Sequence, residues 1–499
     1  MKMYEMFIGG AWVPAEGGRR YETLNPATGL AWAEVPDAGP ADVDRAVRAA
    51  REALHGSGWG ALTATQRGGL LLRLADLIER DAEHLARIET TDNGKILGET
   101  RAQALGMSRW YRYFAGLADK IDGRVANMDF PTLFGFTRLE PVGVVAAIVP
   151  WNSPLMLATW KLAPALAAGN TVVLKPSDAT PASTLELAAL IAEAGIPDGV
   201  VNVITSAAPA CGESLVRHPG VDHVTFTGGP RTAVAISHAV ADNLTPTTFE
   251  LGGKGANVVF PDADLDAVVP GVLAGIFAAT GQTCVAGSRL IVHRDLHDEV
   301  VSRLVDRAER IRLGDPADPR TQMGPVATQA QLARIRSMVD EAVAAGATAA
   351  TGGRVATDRV ASAGEALRAD AFYEPTILTG VRPDMPIAQE EVFGPVLAVL
   401  PFDDEEEAVA IANGTPYGLT AGVWTRDVKR AHRLAHRIRA GTVWVNTYRL
   451  ASPVVPFGGL GRSGHGRENG IEAVREFTRT KTVVLELGDD IPDPFVTRT

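Results

Sequence analysis

Cys211 and Cys284 are the only two cysteines in the chain, and only the second has neighbours that suit a reactive thiol. In Gly281-Gln282-Thr283-Cys284-Val285-Ala286-Gly287-Ser288-Arg289 the flanking side chains are small, which leaves the sulfur reachable. A thiol attacks as its thiolate and therefore needs a lowered pKa or a neighbouring base. Glu250-Leu251-Gly252-Gly253-Lys254 closes a short strand-like run with an acid next to flexible backbone. A carboxylate so placed can reach a cleft and act as a base on water. In Val149-Pro150-Trp151-Asn152-Ser153-Pro154 a strand ends and a helix begins, with Pro154 in its first turn. The Asn152 amide can there donate to a developing oxyanion, an interaction worth ~3 kcal/mol in other enzymes. Each residue alone also has a plainer reading, as a buried inert cysteine, a salt-bridged acid or a turn asparagine. Cys211 has only the plain one.

Two further segments offer binding rather than bond-making groups. Leu174-Lys175-Pro176-Ser177-Asp178 sets a cation and an acid three residues apart at a strand end, as sugar hydroxyls require. Phe226-Thr227-Gly228-Gly229-Pro230 is a glycine-rich strand-to-helix turn, where free backbone N–H groups and a helix N-terminus can hold a phosphate. Gly459 to Gly464 matches G-x-G-x-x-G but follows Pro456-Phe457 with no strand–helix–strand unit around it, so it is set aside.

The elements that must position these groups show in the apolar periodicity. From Ala41 to about Lys120 apolar residues recur every three or four positions, and Asn93-Gly94 reads as a helix stop. From Pro141 onward, short β-branched runs at 142–149, 171–174, 200–204 and 223–226 alternate with helical stretches near 154–168, 181–194, 211–217 and 230–241. Such a series predicts a parallel sheet covered by helices, with ligands beyond the strand C-termini. A second α/β pattern follows Gly253, with strands expected at 256–259, 289–292, 396–400, 421–424 and 442–446. Gly352 to Ala366 reads as a surface insertion.

With 499 residues, 46% of them hydrophobic and 21% charged, the chain is long enough for more than one domain and has a folded protein's composition. The 59 acidic against 48 basic residues leave a net charge of −11, which disfavours nucleic acid as a partner. Two cysteines cannot form a secreted disulfide framework, and the N-terminal ten residues have an acid at Glu5 and no apolar run. No signal peptide is expected, and a cytoplasmic location fits. The longest apolar runs, Val268 to Thr280 and Leu155 to Ala168, fall short of the ~20 residues of a membrane span and read as core helices. No membrane partner is expected.

Taken in order, Pro150-Trp151-Asn152, Lys175-Pro176-Ser177, Phe226-Thr227-Gly228, Glu250-Leu251-Gly252-Gly253-Lys254, Gly281-Gln282-Thr283-Cys284 and Glu390-Glu391-Val392-Phe393-Gly394-Pro395 resemble the aldehyde dehydrogenase superfamily. Pro456-Phe457-Gly458-Gly459 and Ser463-Gly464-His465-Gly466-Arg467-Glu468 complete the set, and the resemblance runs from Phe7 to about Leu485. It implies an α/β fold of three parts: a Rossmann-like cofactor domain (1–122 and 142–252), an α/β catalytic domain (253–462) and a small β oligomerisation segment (123–141 and 463–499). The implied activity is oxidation of a small-molecule aldehyde to an acid with reduction of NAD. Cys284 matches the nucleophile that forms a thiohemiacetal and then a thioester. Asn152 and the Cys284 N–H match the oxyanion hole, Glu250 the base that activates the hydrolytic water, and Glu468 a second acid behind it. Lys175 and Glu391 match the ribose-holding residues and Phe393 the ring beside the nicotinamide. Trp151, Ser177, Asp178, Phe226, Thr227, Gly228, Gly229 and Leu251 fall on cofactor-binding positions.

Departures from the family pattern bear on specificity. Gly229 stands where a serine is common, so the hydroxyl contact to the pyrophosphate is either lost or taken over by backbone N–H. Asp178 replaces a glutamate; an acid there accepts from a ribose 2′-OH and repels a 2′-phosphate, which favours NAD, with NADP the alternative. Arg479 replaces an acid at the subunit contact. Ser153 and Ala451 replace aromatic rings, so the substrate passage is expected to be wide, walled by Met156, Trp160 and Phe457. Arg449 is either a partner for a substrate carboxylate or a surface arginine. No metal is expected, and homodimers or homotetramers are. A CoA-acylating semialdehyde dehydrogenase and a cofactor-free cysteine hydrolase are the alternatives; retention of Glu250 argues against the first, and the lack of a paired histidine against the second.

Overall fold

Residues 1–56, 58–360, 367–489 and 495 are described by the computed structural model of the chain. The amphipathic stretch after Gly39 forms four helices, α1 (Pro40–His55), α2 (Ala64–Arg80), α3 (Ala82–Asn93) and α4 (Leu97–Leu117). Gly94 ends α3 at φ +77°, a left-handed conformation that glycine adopts without penalty. Leu71, Leu74, Ile78, Tyr111 and Phe114 are fully buried between these helices.

The β-branched runs then build an eight-stranded sheet. Its order is Gly464–His465, Thr247–Leu251, His223–Gly228, Val144–Val149, Thr171–Pro176, Val201–Val203, Met6–Ile8 and Ala11–Val13. The five central strands are parallel and the outer ones antiparallel. Helices α5 (Pro154–Ala168), α6 (Ala182–Glu193), α7 (Pro209–Arg217) and α8 (Pro230–Val240) connect the parallel strands. The chain builds outward from Val144–Val149 in one direction through 171 and 201, and in the other through 223 and 247. The switch point thus lies between Val144–Val149 and His223–Gly228, and open α/β sheets bind ligands at such crevices.

A second sheet has the order Thr348–Thr351, Thr376–Thr379, Val396–Phe402, Arg289–His293, Ala256–Val259, Thr420–Trp424 and Thr442–Val445, parallel except at its first edge. Thr478–Glu486 pairs antiparallel with Leu133–Pro141 in a three-stranded sheet, Arg479 lying opposite Glu140. The α/β class expected from the alternating runs is the class observed. Gly464–His465 differs from expectation, because it joins the first sheet beside Phe249 and Glu250 instead of the small one.

The insertion expected at 352–366 is also different. Val355 bridges to Tyr373, and Ala356 and Val360 are buried in the second sheet's core, so 352–360 is packed structure. Residues 361–366 of that stretch lie outside the described residues. Among the described residues no helix is long and apolar enough to cross a membrane.

Buried in the middle of α5, Lys161 is ion-paired with Glu468 and donates to Thr225 Oγ1 at 3.1 Å. Removing one member of a buried pair strands the other, at a cost of about 3–5 kcal/mol. Lys161→Met should lower the thermal midpoint by several degrees. Lys161→Met with Glu468→Gln should recover most of that loss in a scanning-calorimetry comparison.

Candidate active site

Asn152, Cys284 and Glu250 line one cavity of about 600 Å³ at the seam between the two large sheets. They arrive from three separate places: the loop after the central strand, the loop after the helix Leu265–Phe277, and the end of the strand Thr247–Leu251.

The Cys284 loop is held in a strained course. Ala279, Thr280 and Gly281 have φ of +52°, +56° and +67°, a conformation that costs of order 1 kcal/mol or more for residues with a Cβ. Three contacts pin it. Ala279 N–H donates to Glu99 Oε1 at 2.9 Å, Thr280 Oγ1 donates to Gly324 O at 3.1 Å, and Gln282 Oε1 accepts from Ala327 N at 2.9 Å. Gly281 is required on steric grounds as well, since a Cβ there would stand 2.1 Å from the Gly394 carbonyl oxygen. Asn152 Nδ2 donates to the Gln282 carbonyl oxygen at 2.9 Å, which joins the two loops and leaves the second amide hydrogen available.

Glu250 is buried, and among the described residues neither of its carboxylate oxygens has a hydrogen-bond partner. Burial first, and then the Glu468 carboxylate, push its pKa well above the usual range against the opposing charge of Lys161. Burial, then the Glu391 and Glu250 carboxylates, push the Cys284 thiol up to about 12. Both groups are therefore shifted toward their protonated forms. Cys211 is fully buried on α7, its thiol pushed by burial up to about 11, as an inert structural cysteine should be.

The groups expected to hold a dinucleotide fall in two places. Trp151, Thr227, Gly228, Gly229, Leu251, Glu391 and Phe393 line the first cavity. Glu391 accepts from Gly253 N–H at 2.9 Å, and a Cβ on Gly252 would lie 2.0 Å from its Oε2. Trp151 meets Phe393 edge-on at 5.3 Å. Lys175 and Phe226 line a second cavity of about 530 Å³ between α7 and α8. The turn Thr227-Gly228-Gly229 separates the two, no side chain caps α8, and a Cβ on Gly229 would meet only open space. An uncapped helix N-terminus facing an open turn suits a phosphate group, so these residues fit a dinucleotide. Ser177 and Asp178 line neither cavity; they sit on the following loop, where Ser177 Oγ donates to Asp178 Oδ1 at 3.1 Å.

None of the residues expected at the substrate passage lines the first cavity. Trp160 is buried, meets Phe457 at 5.2 Å and stacks on Trp110 at 6.2 Å, while Met156 is half-buried beside Gly106. Ser153 is not an open gap, because its Oγ accepts from Lys95 Nζ at 2.6 Å. Arg449 is not free for a substrate anion either: it lies 3.9 Å from Glu99 and donates to Ala274 O at 3.4 Å. Ala451 is exposed on the neighbouring loop. Lys161 is the one charged residue in the run 155–168, and that break in an apolar stretch is its only signal in the sequence. Among the described residues no cluster of His, Cys, Asp and Glu forms a metal site.

Helix-covered parallel sheets opening a crevice at a switch point define an α/β enzyme that works at its strand ends. The chain belongs to the aldehyde dehydrogenase family, whose sequence model matches residues 12–483, and it oxidises aldehydes. It is 49% identical, over 100% of both chains, to (Z)-2-((N-methylformamido)methylene)-5-hydroxybutyrolactone dehydrogenase of Acinetobacter baylyi. It is 42% identical to human retinal dehydrogenase 2, over 98% of this chain and 92% of the other. The structure of the NAD+ complex of a Bacillus cereus aldehyde dehydrogenase superposes with a TM-score of 0.94 at 41% identity, covering 98% of this chain and 97% of that one.

A raised folded-state pKa means that Glu250 stabilises the fold while protonated and costs stability as pH rises above the ordinary carboxyl range. Glu250→Gln should therefore raise the thermal midpoint by roughly 2 °C or more at pH 8. The gain should vanish near pH 4, as melting curves across that range would record.

Proposed function

We propose that the protein is an NAD-dependent, acid-releasing aldehyde dehydrogenase in which Cys284, Asn152 and Glu250 carry the chemistry. The observation that supports this is their convergence on one cavity whose far wall is the glycine turn at α8. As Cys284 Sγ bonds to the aldehyde carbon its thiol proton passes to water, and the second Asn152 amide hydrogen with the Cys284 N–H stabilises the oxyanion, worth ~3 kcal/mol. Lys175, Glu391 and the Thr227–Gly229 turn would hold NAD, which would accept the hydride from that carbon. Glu250, in its carboxylate form, takes a proton from the water that attacks the thioester; the C–S bond breaks, and the acid and the Cys284 sulfur are released. Glu468 and Lys161 stand behind Glu250 and set its charge balance.

The CoA-acylating alternative has no need of a buried base at this point. The hydrolase alternative requires a histidine base, and the first cavity has none in its lining. Asp178, exposed after Lys175, favours NAD over NADP through its charge. The sheet of Leu133–Pro141 and Thr478–Glu486, with Phe134, Val484 and Leu485 exposed, is the proposed subunit contact.

Absorbance at 340 nm should rise when the protein meets NAD and members of a panel of short, long, aromatic and carboxylate-bearing aldehydes. Cys284→Ala should abolish the rise. Glu250→Gln should give one equivalent of NADH per site and then turn over at least ~100-fold more slowly. A full steady-state rate in Glu250→Gln would remove the base from the scheme.

A further inference from the structure

Helix α5 begins two residues after Asn152, yet nothing in its own sequence caps it. Ser153 occupies the cap position at φ −153°, and its hydroxyl makes no bond to the helix. A helix start leaves several N–H groups without partners, and a serine hydroxyl there ordinarily serves one of them. Here that hydroxyl instead accepts from Lys95 Nζ at 2.6 Å. The Leu155 N–H is served from another helix, by Glu89 Oε2 of α3 at 3.2 Å, a carboxylate that also suits the positive end of the helix dipole. Between these two contacts, Asn93 Nδ2 donates to the Asn152 carbonyl oxygen at 3.3 Å.

Three side chains, two from the end of α3 and one from the turn to α4, thus grip three neighbouring points of the Asn152 loop. They are tied to one another as well. Asn93 Oδ1 accepts from the Lys95 N–H at 2.9 Å, and Lys95 Nζ lies 3.5 Å from Glu89 Oε1 and donates to Gln103 Oε1 at 2.9 Å. Glu89, Asn93 and Lys95 are 2%, 3% and 6% exposed. A buried ion pair contributes little net stability compared with apolar packing of the same volume. A helix end closed in this way is therefore expensive if its only task is to hold α3 against α5. Its contacts are concentrated instead on the residues that fix one amide.

We propose that Glu89, Asn93 and Lys95 are positioning residues for Asn152. They hold its loop so that one amide hydrogen stays on the Gln282 carbonyl and the other remains aimed for the oxyanion. This rests on the reading of Asn152 as the oxyanion donor. A displacement of about 1 Å at a reacting centre can cost up to 100-fold in rate, so loss of the grip is read in turnover.

The test is a double-mutant cycle on the full-length protein with NAD and the aldehyde that the panel ranks first. Lys95→Met and Asn93→Ala should each lower kcat roughly 10- to 100-fold with the KM for NAD unchanged. In an Asn152→Ala background each should change the rate less than twofold. Glu89→Gln, which keeps an acceptor for Leu155 N–H, should retain most of the activity. Alkylation of Cys284 by iodoacetamide forms no oxyanion, so its rate should stay within twofold in all of these variants. Asn93→Ala removes no charge and carries the cycle by itself if Lys95→Met fails to fold. Losses that remain fully additive with Asn152→Ala, or alkylation that slows in parallel with turnover, would overturn the positioning role alone. An Asn152→Ala protein with undiminished turnover would overturn both this role and the oxyanion assignment beneath it.

Discussion

The hydrogen bond from Asn152 Nδ2 to the Gln282 carbonyl oxygen, 2.9 Å long, joins loops that belong to different sheets. One end follows the central strand Val144–Val149, and the other precedes the thiol that must meet it. Each loop is braced by its own scaffold: the Asn152 loop by the α3–α4 turn, and the Cys284 loop by Glu99, Gly324 and Ala327. Glu99 belongs to α4, so a single helical hairpin reaches both sides of the seam. Left-handed residues at 279–281 persist only because these contacts over-determine them.

Charge is handled at the site by exclusion. A carboxyl without hydrogen bonds among the described residues, a half-buried cysteine and a paired Lys161 act on one another at the cavity. Burial shifts the first two toward their neutral forms and makes any charge that forms there felt strongly. A cation arriving in the cavity would favour the thiolate, whereas the neighbouring carboxylates oppose it.

Much of the fold was legible because buried parallel strands are nearly continuous apolar runs. The expected strands at 171–174, 223–226, 256–259 and 289–292 fall within those observed. Thr376–Thr379 and Thr348–Thr351 were not legible. The first offers only two apolar residues, and the second follows an alanine-rich helix whose pattern it continues. The hairpin Met6–Ile8 to Ala11–Val13 had a signal that went unread, the Gly9-Gly10 pair with φ of +62° and +83°. At the site, residue types and order pointed to Cys284, Glu250 and Asn152. Partners distant in sequence, such as Lys161 with Glu468 or Lys95 with Ser153, carry no such signature, because only the folded chain makes them neighbours. For the same reason the sequence leaves Arg449 open between a substrate carboxylate and the surface and expects space at Ser153, whereas the fold engages both side chains.

The bond between Lys95 and Ser153 separates two properties that a protein engineer would otherwise treat as one. Reshaping the acceptor range by enlarging residue 153 would break that bond, and the loop's hold on its neighbour would go with it. Met156, Trp160 and Phe457, which the sequence expects along the substrate passage, are held by packing contacts and make no hydrogen bond to the Asn152 loop. Volume can be exchanged there at ordinary packing cost. Libraries aimed at new aldehydes should therefore vary the aromatic wall and leave the serine alone.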